Sequence, residues 1–189
     1  MNRNGKKRII VVDYGCKNGI KNALANLGCI VNVVSGNTSS KEILSLKPNG
    51  IVLSNGPGDP KDYREAIINI KKLLLSSVPI LGICLGHQLL ALAGGGKTYK
   101  LPFGHRGNNH SVLDLETGKS FISSHNHGYA VSANHLPVNF TPWFMNLLDQ
   151  TVEGIKHKNK LIWSVQFHPE ARPGTWDTKY IFPSFLKKI

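Results

Sequence analysis

Four short, unbroken apolar stretches in the first half of the chain each run into a segment of helical character, and this alternation restricts the fold more than any other feature. Arg8–Asp13, Ile30–Val34, Gly50–Ser54 and Val78–Ile83 are short and lack polar alternation, as expected of strands covered on both faces. Asn18–Leu27 carries Ile20, Ala23, Leu24 and Leu27 at helical spacing, with Gly28 as the stop. Ser39 or Ser40 can cap a short helix through Leu46, Asp62–Leu75 reads as a longer helix, and Leu85–Ala93 as another. Such alternation specifies a parallel sheet with helices on both faces. The second half differs: segments near Ser111–Leu115, Ser120–Ser123, Tyr129–Val131, Gly154–His157 and Leu161–Phe167 read as shorter strands between polar turns, and Lys179–Lys188 as a closing helix. The expectation is one α/β domain over residues 9–189, its central sheet mostly parallel with mixed strands in the second half, preceded by a basic tail over residues 1–8.

Composition narrows the class. A chain of 189 residues with 41% hydrophobic and 18% charged residues can build a core and lacks the signature of disorder. The net charge of +12 raises the question of an acidic partner. The lysines are scattered, however, and no basic stretch is interleaved with aromatics, so a nucleic-acid groove is not expected. No apolar run approaches the ~20 residues of a membrane span, and Ile9–Val12 is too short for a signal peptide. Cys16, Cys29 and Cys84 form no CxxC pair, which points to a reducing compartment and a cytoplasmic location.

The most informative segment is Gly82-Ile-Cys-Leu-Gly-His-Gln88, where a buried strand turns directly into a helix. Cys84 sits at the turn with glycines two residues to either side, the pattern of a nucleophile elbow with cysteine in place of serine. The tight turn demands small neighbours, and the helix N-terminus favours a thiolate. A structural cysteine would also fit this segment alone.

A cysteine nucleophile needs a base and the base an orienter. Val165-Gln-Phe-His-Pro-Glu170 offers both, because the residue before a proline is held extended and residues two apart then project to one side. His168 can face the thiol while Glu170 fixes its tautomer. Ser54-Asn-Gly-Pro-Gly-Asp-Pro60 is too rich in glycine and proline for regular structure, which leaves backbone N–H groups free to serve an oxyanion.

Gly82–Gln88, Ser54–Pro60 and Phe167–Ala171 together resemble the three signatures of class I glutamine amidotransferases, which implies a three-layer, flavodoxin-like fold. Phe103-Gly-His-Arg-Gly107 with Asn109-His110, Asn126-His-Gly-Tyr-Ala-Val131, and Pro173-Gly174 with Asp177 are similar to the glutaminase domain of the carbamoyl-phosphate synthetase small subunit. The resemblance runs from about Ile9 to Leu186. It implies Cys84 as nucleophile with His168 and Glu170 completing a triad, an oxyanion site at the amides around Gly58 and Leu85, and glutamine contacts at Gly56, Gly58, Leu85, Gln88, Asn126, Gly128 and Tyr129. It further implies release of ammonia through a γ-glutamyl thioester and its delivery to a large synthetase partner. ATP and magnesium would act on that partner, with no cofactor and no metal in this chain. An amidotransferase subunit of the anthranilate or GMP type, or a catalytically silent module of the same fold, are the alternatives.

The chain departs from the resemblance in places. The small subunit usually carries a further N-terminal domain that contributes a serine to the glutamine site, whereas this sequence starts close to the first strand of the glutaminase domain. Asn108 and Ser111 stand where glycine and proline are usual, and His125 where glutamine is usual.

Other motifs carry less. Ala91–Thr98 almost spells a phosphate-binding loop, but follows a helix and leads to a strand, the reverse of what phosphate binding needs. His105, His110, His125 and His127 are dense, yet lack the spacing of common zinc motifs, so surface or supporting roles are expected. Trp163 reads as core, while Trp143 and Trp176 lie near turns and are candidates for an interface.

Overall fold

A computed structural model describes residues 6–189. In chain order the elements are β1 (Arg8–Asp13), α1 (Asn18–Asn26), β2 (Ile30–Ser35), α2 (Ser40–Ser45), β3 (Gly50–Leu53), α3 (Arg64–Leu73), β4 (Ile80–Ile83), α4 (Leu85–Ala93), β5 (Thr98–Asp114), β6 (Ser120–Val131), β7 (Phe140–Asn146), β8 (Val152–His157), β9 (Ile162–Val165) and α5 (Ile181–Lys188). One continuous sheet has the order β2-β1-β3-β4-β9-β8-β6-β5-β7.

The half built from β2, β1, β3, β4 and β9 is parallel throughout. Alternate side chains of these strands feed two cores, as the period of a strand requires. Ile10, Val12, Ile51, Leu53 and Ile80 pack with Ile43 of α2, Ala66 and Ile70 of α3, and Leu85 and Leu89 of α4. Ile9, Val11, Val52, Leu81 and Ile83 pack on the opposite face with Ile20 and Leu24 of α1 and with Phe182 and Phe185 of α5. Helices therefore cover both faces, and β1, β3, β4 and β9 are continuous apolar runs because neither of their faces meets water, whereas β2, expected to be covered as well, is an edge strand with Ile30 and Val33 exposed. Ser39 closes a capping box with Glu42 at the start of α2. That explains how a helix of six residues is held there.

The other half corrects the expected mostly parallel sheet. β5 pairs antiparallel with β6 and β7, and β8 pairs antiparallel with β6, β7 and β9. The four strands β5–β8 close on themselves as a small antiparallel barrel grafted onto the parallel half. Two of its strands exceed the expectation: β5 spans 17 residues and β7 was not anticipated. Trp143, on β7, is buried at ring-centroid distances of 4.5 Å from Phe144 and 5.3 Å from Trp163, with the Lys156 ammonium over its face. It is core and not a surface interface residue, whereas Trp176 is exposed. Arg8 already belongs to β1, and residues 1–5 of the basic tail lie outside the described residues. No helix among the described residues is long and apolar enough to cross a membrane.

Candidate active site

The carboxyl ends of β1, β3, β4 and β9 converge on one crevice, where an open parallel sheet places its ligands. At the end of β4 the chain enters α4 through Cys84, which has φ 54° and ψ −103°. A non-glycine residue in this region is held only by surrounding structure that forces it. That structure is visible in the adjoining glycines. A Cβ on Gly82 would lie 2.7 Å from the Gly86 carbonyl oxygen, and one on Gly86 would lie 2.2 Å from that of Leu53. The Gly86 amide donates to the Ser54 carbonyl at 3.0 Å and the Cys84 amide to the Val165 carbonyl at 2.9 Å, fixing the elbow to both neighbouring strands.

Beyond β9, His168 and Glu170 project to the same side, as the extended geometry before Pro169 predicts. His168 Nδ1 donates to Glu170 Oε1 at 2.7 Å, which leaves Nε2 for the thiol. Both side chains are buried. Burial acts to lower the His168 pKa, but the Cys84 sulfur and the Glu170 carboxylate beside it outweigh that and raise it to about 9. At neutral pH the ring is therefore held as an imidazolium, and it can hand a proton to a leaving amine. Gly19 at the start of α1 is required by the same group, since a Cβ there would meet Glu170 Cγ at 2.9 Å.

Around these residues lies an open cleft of about 660 Å³. Cys84, His168, Gly56, Gly58, Gln88, Asn126, Gly128 and Tyr129 all line it. Leu85 does not, because its side chain is buried in the core beneath α4. Its backbone amide opens the first turn of α4 and so has no acceptor within the helix. Gly56 admits no side chain, a Cβ being 2.3 Å from the Tyr14 carbonyl oxygen, and Gly58 takes φ +85°. Gln88 spends its amide NH₂ on the Tyr129 carbonyl at 2.8 Å and on Gln166 at 2.9 Å, which leaves its oxygen as an acceptor for a ligand.

The sequence reading missed part of this lining. Lys17, Lys100 and Arg106 also line the cleft. Arg106 lay inside a quoted motif, but only the pairing of β5 with β6 brings it opposite Asn126. The histidines of β5 and β6 are likewise not at the surface: His105, His125 and His127 are buried. Pro173–Asp177 docks on β6, where Asp177 accepts from the Ile122 amide at 3.1 Å and Gly174 passes so close to Ser124 that no Cβ would fit. The glycines of the Ala91–Thr98 segment end α4 and lead into β5, as expected for a helix stop.

The family model of glutamine amidotransferase class-I matches residues 10–188. The chain belongs to this family. Among curated relatives, the chain is 48% identical over 183 residues to the carbamoyl phosphate synthase small chain of Lactococcus lactis, covering 97% of this chain and 51% of that one. It is 52% identical over 184 residues to the small chain of Methanocaldococcus jannaschii, covering 97% and 52%. The chain thus spans about half the length of the curated relatives it matches. Among solved structures, a GMP synthase-type protein from Thermoplasma acidophilum aligns with a TM-score of 0.84 at 26% identity, covering 98% of this chain and 94% of that one. A glutamine amidotransferase from Thermotoga maritima aligns with a TM-score of 0.71 at 18% identity, covering 98% and 84%.

Proposed function

We propose that this amidotransferase is the glutamine-hydrolysing component of a carbamoyl-phosphate synthetase, with Cys84 as nucleophile. The observation that carries the reading is the convergence of the strained Cys84 elbow, the His168–Glu170 pair and the Gly56–Gly58 loop on one cleft. The Cys84 thiolate attacks the side-chain amide carbon of glutamine, and the amides of Gly58 and Leu85 receive the oxyanion. His168 delivers its proton to the departing nitrogen, which leaves as ammonia, and a γ-glutamyl thioester remains on Cys84. Water, deprotonated by the now neutral His168, attacks the thioester and releases glutamate, returning the proton to the ring. Glu170 holds the imidazole orientation throughout.

Asn126, Gly128, Tyr129 and the Gln88 oxygen bind the amino-acid end of glutamine in this reading, and Lys17, Lys100 and Arg106 attract its α-carboxylate. Ammonia then passes to a synthetase large subunit, where ATP and magnesium act. Identity near 50% to small chains of carbamoyl phosphate synthase favours this acceptor over GMP synthesis, which rests on 26% identity to one solved structure.

The test combines the chain with a purified synthetase large subunit, bicarbonate and Mg-ATP, and measures carbamoyl phosphate formed from glutamine and from free ammonia. Glutamine-dependent synthesis should appear with the wild type and vanish with Cys84→Ser, while ammonia-dependent synthesis persists in both. Glutamine hydrolysis without any carbamoyl phosphate would refute the partner, and unimpaired synthesis with Cys84→Ser would refute the nucleophile.

A further inference from the structure

The densest group of ionisable side chains outside the Cys84 centre lies where β5, β6 and β8 meet in the barrel. His105 from β5, His125 and His127 from β6, and Glu153 from β8 each offer one ligand atom, and these four atoms all lie within 4.8 Å of one another. All four residues are buried, Glu153 completely. His125 and His127 share a face of β6 because they are two apart, and the ladder sets His105 directly opposite His127.

The outer partners dictate which ring nitrogens point inward. The Tyr129 carbonyl, 2.8 Å from His127 Nδ1, can only accept, so that nitrogen carries the proton and Nε2 turns a lone pair to the centre. His105 lies between two carboxylates, with Nε2 2.9 Å from Asp149 and Nδ1 3.2 Å from Glu153 Oε1, so Asp149 can hold the Nε2 proton while Nδ1 is given up to a metal. Ser123 donates its single proton to the His110 carbonyl at 2.9 Å, so its oxygen accepts from His125 Nε2 at 2.7 Å. His125 Nδ1 is left as a lone pair facing His127 Nε2 at 3.1 Å.

Glu153 completes the arrangement. Its Oε1 is engaged by Asn146 and Thr151, both at 3.0 Å. Its Oε2 is buried without a hydrogen-bond partner among the described residues, 3.6 Å from His125 Nδ1 and 3.9 Å from His127 Nε2. Two imidazole lone pairs, the inner nitrogen of His105 and an unpartnered carboxylate oxygen therefore meet in one buried space. Tetrahedral ligands about 2.0–2.1 Å from a zinc ion lie about 3.3–3.4 Å apart, and the spacings here straddle that value.

We propose that His105, His125, His127 and Glu153 form a structural zinc site that ties β5, β6 and β8 together behind the substrate cleft. Four protein ligands leave no open position, as in structural sites. Asp149, the Ser123 hydroxyl and the Tyr129 carbonyl orient the three imidazoles from outside, the usual arrangement around metal-bound histidine. The site bears on the cleft directly. Asn126 sits between two of its ligands, and the Tyr129 carbonyl is shared by His127 and Gln88.

The test uses purified chain stripped with a chelator and then titrated with zinc chloride, with metal content, thermal melting and zinc X-ray absorption as readouts. The proposal predicts about one zinc per chain, a higher Tm on loading, and a shell of nitrogen and oxygen ligands at about 2.0 Å. Asp149→Asn, which leaves all four ligands in place at a partly exposed position, should weaken binding about 10–100-fold. His125→Gln should abolish the tetrahedral absorption spectrum of the cobalt-substituted protein, while Cys84→Ser should retain it. Sub-stoichiometric zinc, a sulfur shell, or undiminished binding in both Asp149→Asn and His125→Gln would overturn the assignment. None of these readouts depends on glutamine turnover, so the proposed function stands or falls separately.

Discussion

Replacing Glu170 by glutamine removes the negative charge that His168 Nδ1 faces at 2.7 Å while keeping the side chain's size. In the wild type the His168 pKa is raised from 6.5 to about 9, against burial that pulls the other way, by Cys84 and Glu170 together. An elevation of that size corresponds to roughly 3 kcal/mol of preference for the imidazolium, at about 1.4 kcal/mol per pKa unit. Because the folded value lies above the unfolded one, this preference stabilises the fold fully below about pH 6.5 and fades as pH rises through about 9. Catalysis should follow the same limb, since the leaving nitrogen takes its proton from His168. The wild-type kcat/KM should fall as pH passes about 9, and in Glu170→Gln the limb should move downward toward 6.5. At neutral pH the variant should also lose about 10²-fold in rate through poorer placement of the ring. Coupled ammonia detection from pH 5.5 to 10 on both proteins is the assay. A descending limb that stays in place in the variant would show that Glu170 does not hold the imidazolium, and would refute the reasoning.

Two further outcomes follow from the same geometry. A glutamine-like diazo-ketone at neutral pH should alkylate Cys84 in preference to Cys16, whose thiol pKa burial pushes up to about 11, and to Cys29, raised for the same reason; peptide mapping that found Cys16 or Cys29 labelled and Cys84 untouched would contradict it. Gly86→Ala should destabilise the chain by at least about 2 kcal/mol in urea denaturation and suppress activity, because its Cβ would lie 2.2 Å from the Leu53 carbonyl oxygen.

The parallel half was legible because its inner strands are buried on both faces, so composition marks them even though the edge strand β2 is exposed, and the intervening helices carry period and stop signals such as Gly28. The barrel was not. β5 is long and polar, with Arg106 and Lys100 facing the cleft and His105 turned into the barrel, and its register shifts between Lys100 and His105 and again between Gly107 and His110. Those irregularities break the two-residue rhythm by which a half-buried strand is recognised. β7 was hidden for a related reason, since Pro142 and Trp143 read as a turn until the strand is seen paired on both sides. Cys84, His168 and Glu170 could be read from local sequence because each sits at a position whose backbone is dictated by adjacent glycine or proline. Lys17 and Glu153 could not, because each reaches its place only through strands that meet far apart in sequence.

The central claim is that glutamine turnover passes through a covalent bond to Cys84. Rapid acid quench of the chain during turnover of radiolabelled glutamine, followed by peptide mapping, tests it most directly. The account predicts label on the peptide containing Cys84, labile to hydroxylamine as a thioester is, and none in Cys84→Ser. Glutamine hydrolysed at an undiminished rate with no labelled peptide, or label on any residue other than Cys84, would contradict it.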